Sequence, residues 1–150
     1  MRLLERDEIV SLYNRFGAKQ DTQGWYEDEP LAEMKRQMDF AAADGILELG
    51  TGTGRLAHEV VTELAPVGTR YLGLDLSPVM VNLAQNRLRT CSNAFAVVGD
   101  VRAPLPLRDN CVSHVFAAYV LDIFSEDEIR GVYEEVHRVL RPGGLFGAVS

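Results

Sequence analysis

The chain is 150 residues long, 47% hydrophobic and 25% charged, with a formal net charge of −7. Such a length and balance suit one folded domain with a substantial core and argue against wholesale disorder. The acidic surplus repels phosphate backbones, and no run of Lys or Arg supplies a basic patch, so no nucleic-acid partner is expected.

The first ten residues, MRLLERDEIV, carry charges along their length and form no apolar leader. Nothing approaches the ~18 consecutive apolar residues of a membrane span. Cys91 and Cys111 are the only cysteines, too far apart for CxxC chemistry, and read as reduced thiols. A soluble, cytoplasmic protein is expected. No His/Cys/Asp cluster has metal-ligand spacing and no Gly-x-x-x-x-Gly-Lys loop occurs, so no metal is expected.

Residues 1–44 predict two helices, 3–16 and 30–42, joined by AKQDTQGWYEDEP. Leu4, Ile9, Leu12, Tyr13 and Phe16 make the apolar side of the first. This segment is expected to form a helical cap on the domain of residues 45–150. Tyr13, Phe16, Trp25 and Tyr26 are candidates either for core packing or for a lid that excludes water.

From residue 45 onward strands and helices alternate. GILELG (45–50) is short, apolar and closed by glycine, as a buried parallel strand should be. Leu56, Ala57, Val60, Val61 and Leu64 then recur at helical spacing until Pro66 and Gly68. TRYLGLD (69–75) is a second strand. Ser77 caps the next helix, with Pro78 in its first turn and Met80, Leu83, Ala84 and Leu88 on one face. AFAVVGD (94–100) is the third strand, followed by a loop with Pro104, Pro106 and Asp109-Asn110. VSHVFAAYV (112–120) is the fourth. Ser125 and Glu128 form a capping box for a helix with Ile129, Val132, Val136, Val139 and Leu140 on its apolar face. That helix stops at Arg141-Pro142-Gly143-Gly144, and LFGAVS (145–150) begins a fifth strand. The alternation predicts an α/β fold, a doubly wound parallel sheet with right-handed crossovers.

Three strand ends carry candidate ligand residues. Glu48-Leu49-Gly50-Thr51-Gly52-Thr53-Gly54 sits where a strand turns into a helix, and its glycines let backbone approach a ligand closely. Gly52 to Ala57 also fits the G-x-G-x-x-A dinucleotide pattern. Glu48 would repel a pyrophosphate and attract an ammonium. Asp75 ends the second strand with two acceptor oxygens for ribose hydroxyls, in either kind of cofactor. Asp100 can accept from an adenine amino group, and the Val101 N–H can bond a ring nitrogen.

ILELGTGTGRLA, YLGLDLSPVM, VVGDVRAPLPL and RVLRPGG, in this order and spacing, resemble the successive motifs of class I (Rossmann-like) S-adenosylmethionine-dependent methyltransferases. They are most similar to the methyltransferase-11 and ubiquinone/menaquinone-biosynthesis branches. The resemblance, over residues 45–150, implies strand order 3-2-1-4-5 and a site in which Gly50, Thr51 and Gly52 line the methionine moiety, with Glu48 and Gly54 also among the cofactor-binding residues. It further implies Asp75 on the ribose, Leu76 and Met80 against the adenine, Asp100 and Val101 at its edge, and Ala118 and Tyr119 in contact. The family commonly begins the fourth strand with Asp, where this chain has Ser113-His114. It also continues with a helix and strands 6 and 7, absent here. The chain is therefore expected to be a piece truncated after the fifth strand, or to form a homo-oligomer through that strand's uncharged edge.

The implied reaction is in-line displacement on the sulfonium methyl by a small-molecule acceptor, with S-adenosylhomocysteine leaving and alignment providing most of the catalysis. Asp122 and Tyr119 are the candidate bases. Alternatives are an NAD(P)-dependent oxidoreductase and a cofactor-binding module without turnover. His58 and His137 read as surface residues, His114 as a satisfied core histidine.

Overall fold

Short apolar runs closed by glycine or acid become strands here, covered on both faces at the centre of the sheet and open at its edge, where Phe95, Val97 and Val98 are exposed. The computed structural model describes residues 5–17, 19, 21–22 and 28–150. Leu4, Trp25 and Tyr26 lie outside the described residues. Strands β1 (Gly45–Leu49), β2 (Arg70–Asp75), β3 (Ala94–Val98), β4 (Val112–Ala118) and β5 (Leu140–Val149) form one parallel sheet in the order β3-β2-β1-β4-β5. The chain winds outward from β1 to β3, then returns to place β4 on the other side of β1. Where winding reverses, a crevice opens outside the carboxyl ends of the strands.

Helices α1 (Arg6–Phe16), α2 (Asp28–Gln37), α3 (Arg55–Glu59), α4 (Pro78–Leu88) and α5 (Glu126–Val139) complete the fold. The Ser77 hydroxyl accepts the Met80 N–H at 3.2 Å, with Pro78 in the first turn of α4. Ser125 and Glu128 form the reciprocal capping box of α5. Among the described residues no helix is long and apolar enough to cross a membrane.

Alternation along β1 sorts the core into two layers. Ile46 faces Tyr71, Phe116, Phe40 and Met38, under α2 and α3. Leu47 and Leu49 face Leu74, Val115 and Ala117, under Val132, Val136 and Val139 of α5. Gly147 of β5 lets α2 lie close: a Cβ there would stand 2.5 Å from Met38 Sδ and 3.0 Å from Met34 Cγ.

Several expectations are corrected. The helix after β1 is a five-residue α turn that widens into a π-helical turn, Val60–Leu64. Three successive β-branched residues crowd it, and the Thr62 hydroxyl donates back to the His58 carbonyl at 2.7 Å, competing with the ladder. The second helix ends at Gln37, ahead of a left-handed Asp39 and a 3-10 turn, Phe40–Ala42. The fourth strand ends at Ala118 because Tyr119 is left-handed, with φ 57°. The fifth strand begins at Leu140, not Leu145: partners jump from Val112↔Leu140 to His114↔Leu145, so Arg141–Gly144 bulge out of the ladder. On α1 only Ile9 is deeply buried, at 3% exposure, while Leu12 and Phe16 are 38% and 40% exposed. His114 is only half satisfied: Nδ1 lies 2.8 Å from Ser113 Oγ, and buried Nε2 has no partner.

Candidate active site

The glycine turn is built from left-handed residues: Gly50, Gly52 and Gly54 have φ of 76°, 53° and 77°. The Gly50 and Thr51 N–H groups both donate to the Leu74 carbonyl, at 2.8 and 2.9 Å, which locks the turn onto β2. Gly54 serves packing instead. A Cβ on it would stand 2.8 Å from Ala84 Cα, so it sets the close approach of α3 to α4 and lies outside the cavity wall.

The cavity beyond this turn has Glu48, Gly50, Thr51 and Gly52 on its floor. Asp75 and Leu76 line it from the end of β2, Gly99, Asp100 and Val101 from the end of β3, Ala118 and Tyr119 from the end of β4. Three expected residues fall elsewhere: Gly54 as above, Met80, which is 0% exposed in the core, and Asp122, which is exposed on the far side of Leu121. The neighbours of Asp122, Ile123 and Phe124, reach the wall in its place.

The three strand-end acids are held differently. Glu48 is 2% exposed, within the apolar layer of Ile46. Its Oε2 accepts from Thr51 Oγ1 at 2.6 Å and from the Tyr71 hydroxyl. Burial, the largest influence, pushes its carboxyl up to about 7, against the pull of the two hydroxyl bonds. Asp75 spans the glycine turn and the start of α4: Oδ2 accepts the Gly52 N–H at 2.8 Å and Oδ1 the Ser77 N–H at 2.9 Å. Burial raises its carboxyl too, and the peptide bonds lower it. Asp100 takes the Arg102 guanidinium in a fork, both contacts at 2.9 Å, and the Arg102 N–H at 3.0 Å. That guanidinium holds Asp100 below the usual carboxylate range. Arg102 also bonds Glu128 at 3.0 Å and sits 5.4 Å over the Phe124 ring.

Sequence reasoning missed Tyr71, Arg102 and Asp21. An acid in an apolar strand demands buried donors, a signal for Tyr71 that only the strand register could convert into a name. Arg102 lay two residues from Asp100. Asp21 had no signal: it joins the chain ahead of β1 to the glycine turn through Thr53 Oγ1 at 2.6 Å and to α4 through Arg87 at 2.8 Å. The Ser77 hydroxyl likewise donates to Asn14 of α1 at 2.6 Å. Ile9, Tyr13 and Leu31 thus close the cavity from the side of α1 and α2. Among the described residues no group of three His, Cys, Asp or Glu could hold a metal ion.

A doubly wound sheet with acids at three successive strand ends around a glycine turn defines a nucleoside-type cofactor site. A family model described as a methyltransferase domain matches residues 46–144, and the chain belongs to the class I S-adenosylmethionine-dependent methyltransferases. An uncharacterized methyltransferase of Mycobacterium tuberculosis is 36% identical across 99% of this chain and 55% of its own length. Malonyl-[acyl-carrier protein] O-methyltransferase of Marinomonas sp. is 26% identical across 95% of this chain and 52% of its own. The solved DhpI–SAH complex is similar with a TM-score of 0.74 at 25% identity, over 94% of this chain and 67% of that one. The chain spans about half the length of the curated relatives it matches.

Proposed function

We propose that this chain binds S-adenosylmethionine at the ends of β1, β2 and β3 and directs its methyl group to a small-molecule acceptor. One observation carries the reading: of the acids on the described cavity wall, Asp21 and Asp100 are paired with Arg87 and Arg102, whereas Glu48 and Asp75 beside the glycine turn are bonded by hydroxyl and peptide N–H donors and by no cation. Such a wall repels a pyrophosphate and complements a cationic ligand. The residues therefore fit S-adenosylmethionine, which supplies a sulfonium-activated methyl group when bound.

In this reading Glu48 faces the ammonium of the amino-acid end, beside the backbone of Gly50, Thr51 and Gly52. Asp75, already fixed by two peptide N–H bonds, turns its remaining lone pairs to the ribose hydroxyls. Leu76 packs the adenine, while Asp100 and the Val101 N–H read its edge. Residues 1–44 act as a cap on the domain of residues 45–150, and Ile9, Tyr13, Leu31 and Leu56 surround the acceptor with apolar surface that excludes water. Of the two candidate residues, Tyr119 lies on the wall, in a left-handed conformation, and Asp122 does not; the Tyr119 hydroxyl orients the acceptor by hydrogen bonding, and the acceptor's proton passes to water. The name of the Marinomonas relative, an O-methyltransferase, supports an oxygen acceptor as one member of the range.

Isothermal titration tests the reading. S-adenosylhomocysteine is expected to bind at micromolar strength and NADH not appreciably. Selective NADH binding would overturn it.

A further inference from the structure

We propose that Tyr71 is a positioning residue for the amino-acid end of the cofactor: its hydroxyl anchors Glu48 from the core side and holds the carboxyl so that its anionic form faces a ligand ammonium. The proposal rests on the cofactor reading above.

Tyr71 is 2% exposed on β2, paired in register with Ile46. Its ring belongs to the apolar layer of Ile46 and Phe116, and its hydroxyl reaches Glu48, two residues further along β1 on the same face. A carboxylate in such a layer is costly unless donors compensate it. Here two hydroxyls, of Tyr71 and Thr51, converge on one oxygen, Oε2. Glu48 and Thr51 line the cavity and Tyr71 does not, so Tyr71 grips the carboxyl from the side away from the ligand.

The neighbourhood is shaped for this. Gly73, the register partner of Glu48, leaves room for Thr51: a Cβ there would stand 2.6 Å from Thr51 Oγ1. A side chain at position 73 would displace the second donor. Among the described residues no guanidinium or ammonium bonds Glu48, in contrast to Asp100, so its charge rests on hydroxyl donors.

The other titratable groups around it are few. Asp75 at the end of β2 adds a like charge that raises the Glu48 carboxyl. His114 of β4 partners Ile46 on the same face, and Arg55 of α3 and Asp21, ahead of β1, stand on the cavity wall. Burial already brings Glu48 to about 7, and both hydroxyl bonds oppose that rise. Loss of the Tyr71 hydroxyl therefore leaves Glu48 largely protonated, and uncharged, at neutral pH.

Titration of Tyr71→Phe with two ligands tests the role. S-adenosylhomocysteine carries the amino-acid end; 5′-methylthioadenosine has the same nucleoside without it. At pH 7 the variant should bind S-adenosylhomocysteine about tenfold more weakly, as for one hydrogen bond to a charged group. The deficit should shrink as pH rises from about 6.5 to about 8, as Glu48 ionises without help while the ligand's ammonium is still largely protonated. Affinity for 5′-methylthioadenosine should stay within about twofold. Equal weakening of both ligands, or a deficit indifferent to pH, would reduce Tyr71 to a packing residue and overturn the proposal. Unchanged binding of S-adenosylhomocysteine would overturn it as well. Should Tyr71→Phe not fold, Tyr71→Met fills the same space without a hydroxyl and is read by the same criteria. A parent chain that binds neither ligand overturns the cofactor reading, and this role with it.

Discussion

Among the described residues, the ends of β1 and β2 hold their acids without a cation, whereas the end of β3 pairs its acid with one. Glu48 and Asp75 rely on hydroxyl and peptide N–H donors, and burial raises both carboxyls. Asp100 lies in the fork of Arg102 and is lowered. The acids do not stand level in the sheet: Glu48 pairs with Gly73 inside it, Asp75 pairs with Val98, and Asp100 lies beyond the end of β3, so burial and partners both separate them. At β1 and β2 the carboxyls are held by neutral hydroxyl and peptide dipoles, with no guanidinium bonded to either among the described residues. At β3 the charge is already neutralised, and the strand end offers hydrogen bonds and shape instead.

The sharpest test of that contrast is Glu48→Gln. Glu48 titrates near its ordinary 4.5 when unfolded and about 7 when folded. Between those values the native state holds the extra proton, so stability falls as pH rises through the window. The whole effect is about 3 kcal/mol. Glutamine keeps the shape and has no such proton. Urea unfolding should therefore show the variant gaining on the parent from pH 5 to pH 8 by about that amount. A gap independent of pH would mean that Glu48 is charged throughout and that the contrast with Asp100 is false.

Asp75→Ala comes next. It should weaken S-adenosylhomocysteine by about 1.5–3 kcal/mol, the range for losing a bond to a charged group. It should also destabilise the ligand-free protein by about 1–3 kcal/mol, because the N–H groups of Gly52 and Ser77 lose their acceptor. A simple solvent-facing acid would show the first effect without the second, and calorimetry of the ligand-free variant separates the two.

Arg102→Ala should have the smallest effect, about 1 kcal/mol at neutral pH from the lost fork and the lost stacking on Phe124. Its signature is at low pH. Asp100 is lowered in the parent, so the pair stabilises the fold above the usual carboxylate range and is lost on acidification. The gap between parent and variant should narrow as acid-unfolding curves descend below about pH 4. A gap that widens there would show that Arg102 does not act through Asp100.

Much of this molecule is written in short stretches of sequence. The order β3-β2-β1-β4-β5 is implied by the resemblance to the methyltransferase family, whereas the five strands, the Ser77 and Ser125 caps and the glycine turn follow from periodicity and capping chemistry. Each of the latter depends on residues a few positions apart. The acids at the strand ends were legible for the same reason, as was their nearness to a glycine turn. Their states were not. Tyr71 lies 23 residues from Glu48, and only the register of β1 against β2 brings its hydroxyl to that carboxyl. Met80 fits the helix face expected to meet a ligand, yet α4 turns it into the core, and Asp122 ends one residue short of the wall that Ile123 reaches. Asp21 joins the chain ahead of β1 to Thr53 and Arg87 with no periodicity to announce it. Local patterns specify elements; the burial, partners and charge of a side chain depend on what the packed neighbours place around it, and those neighbours are distant in sequence.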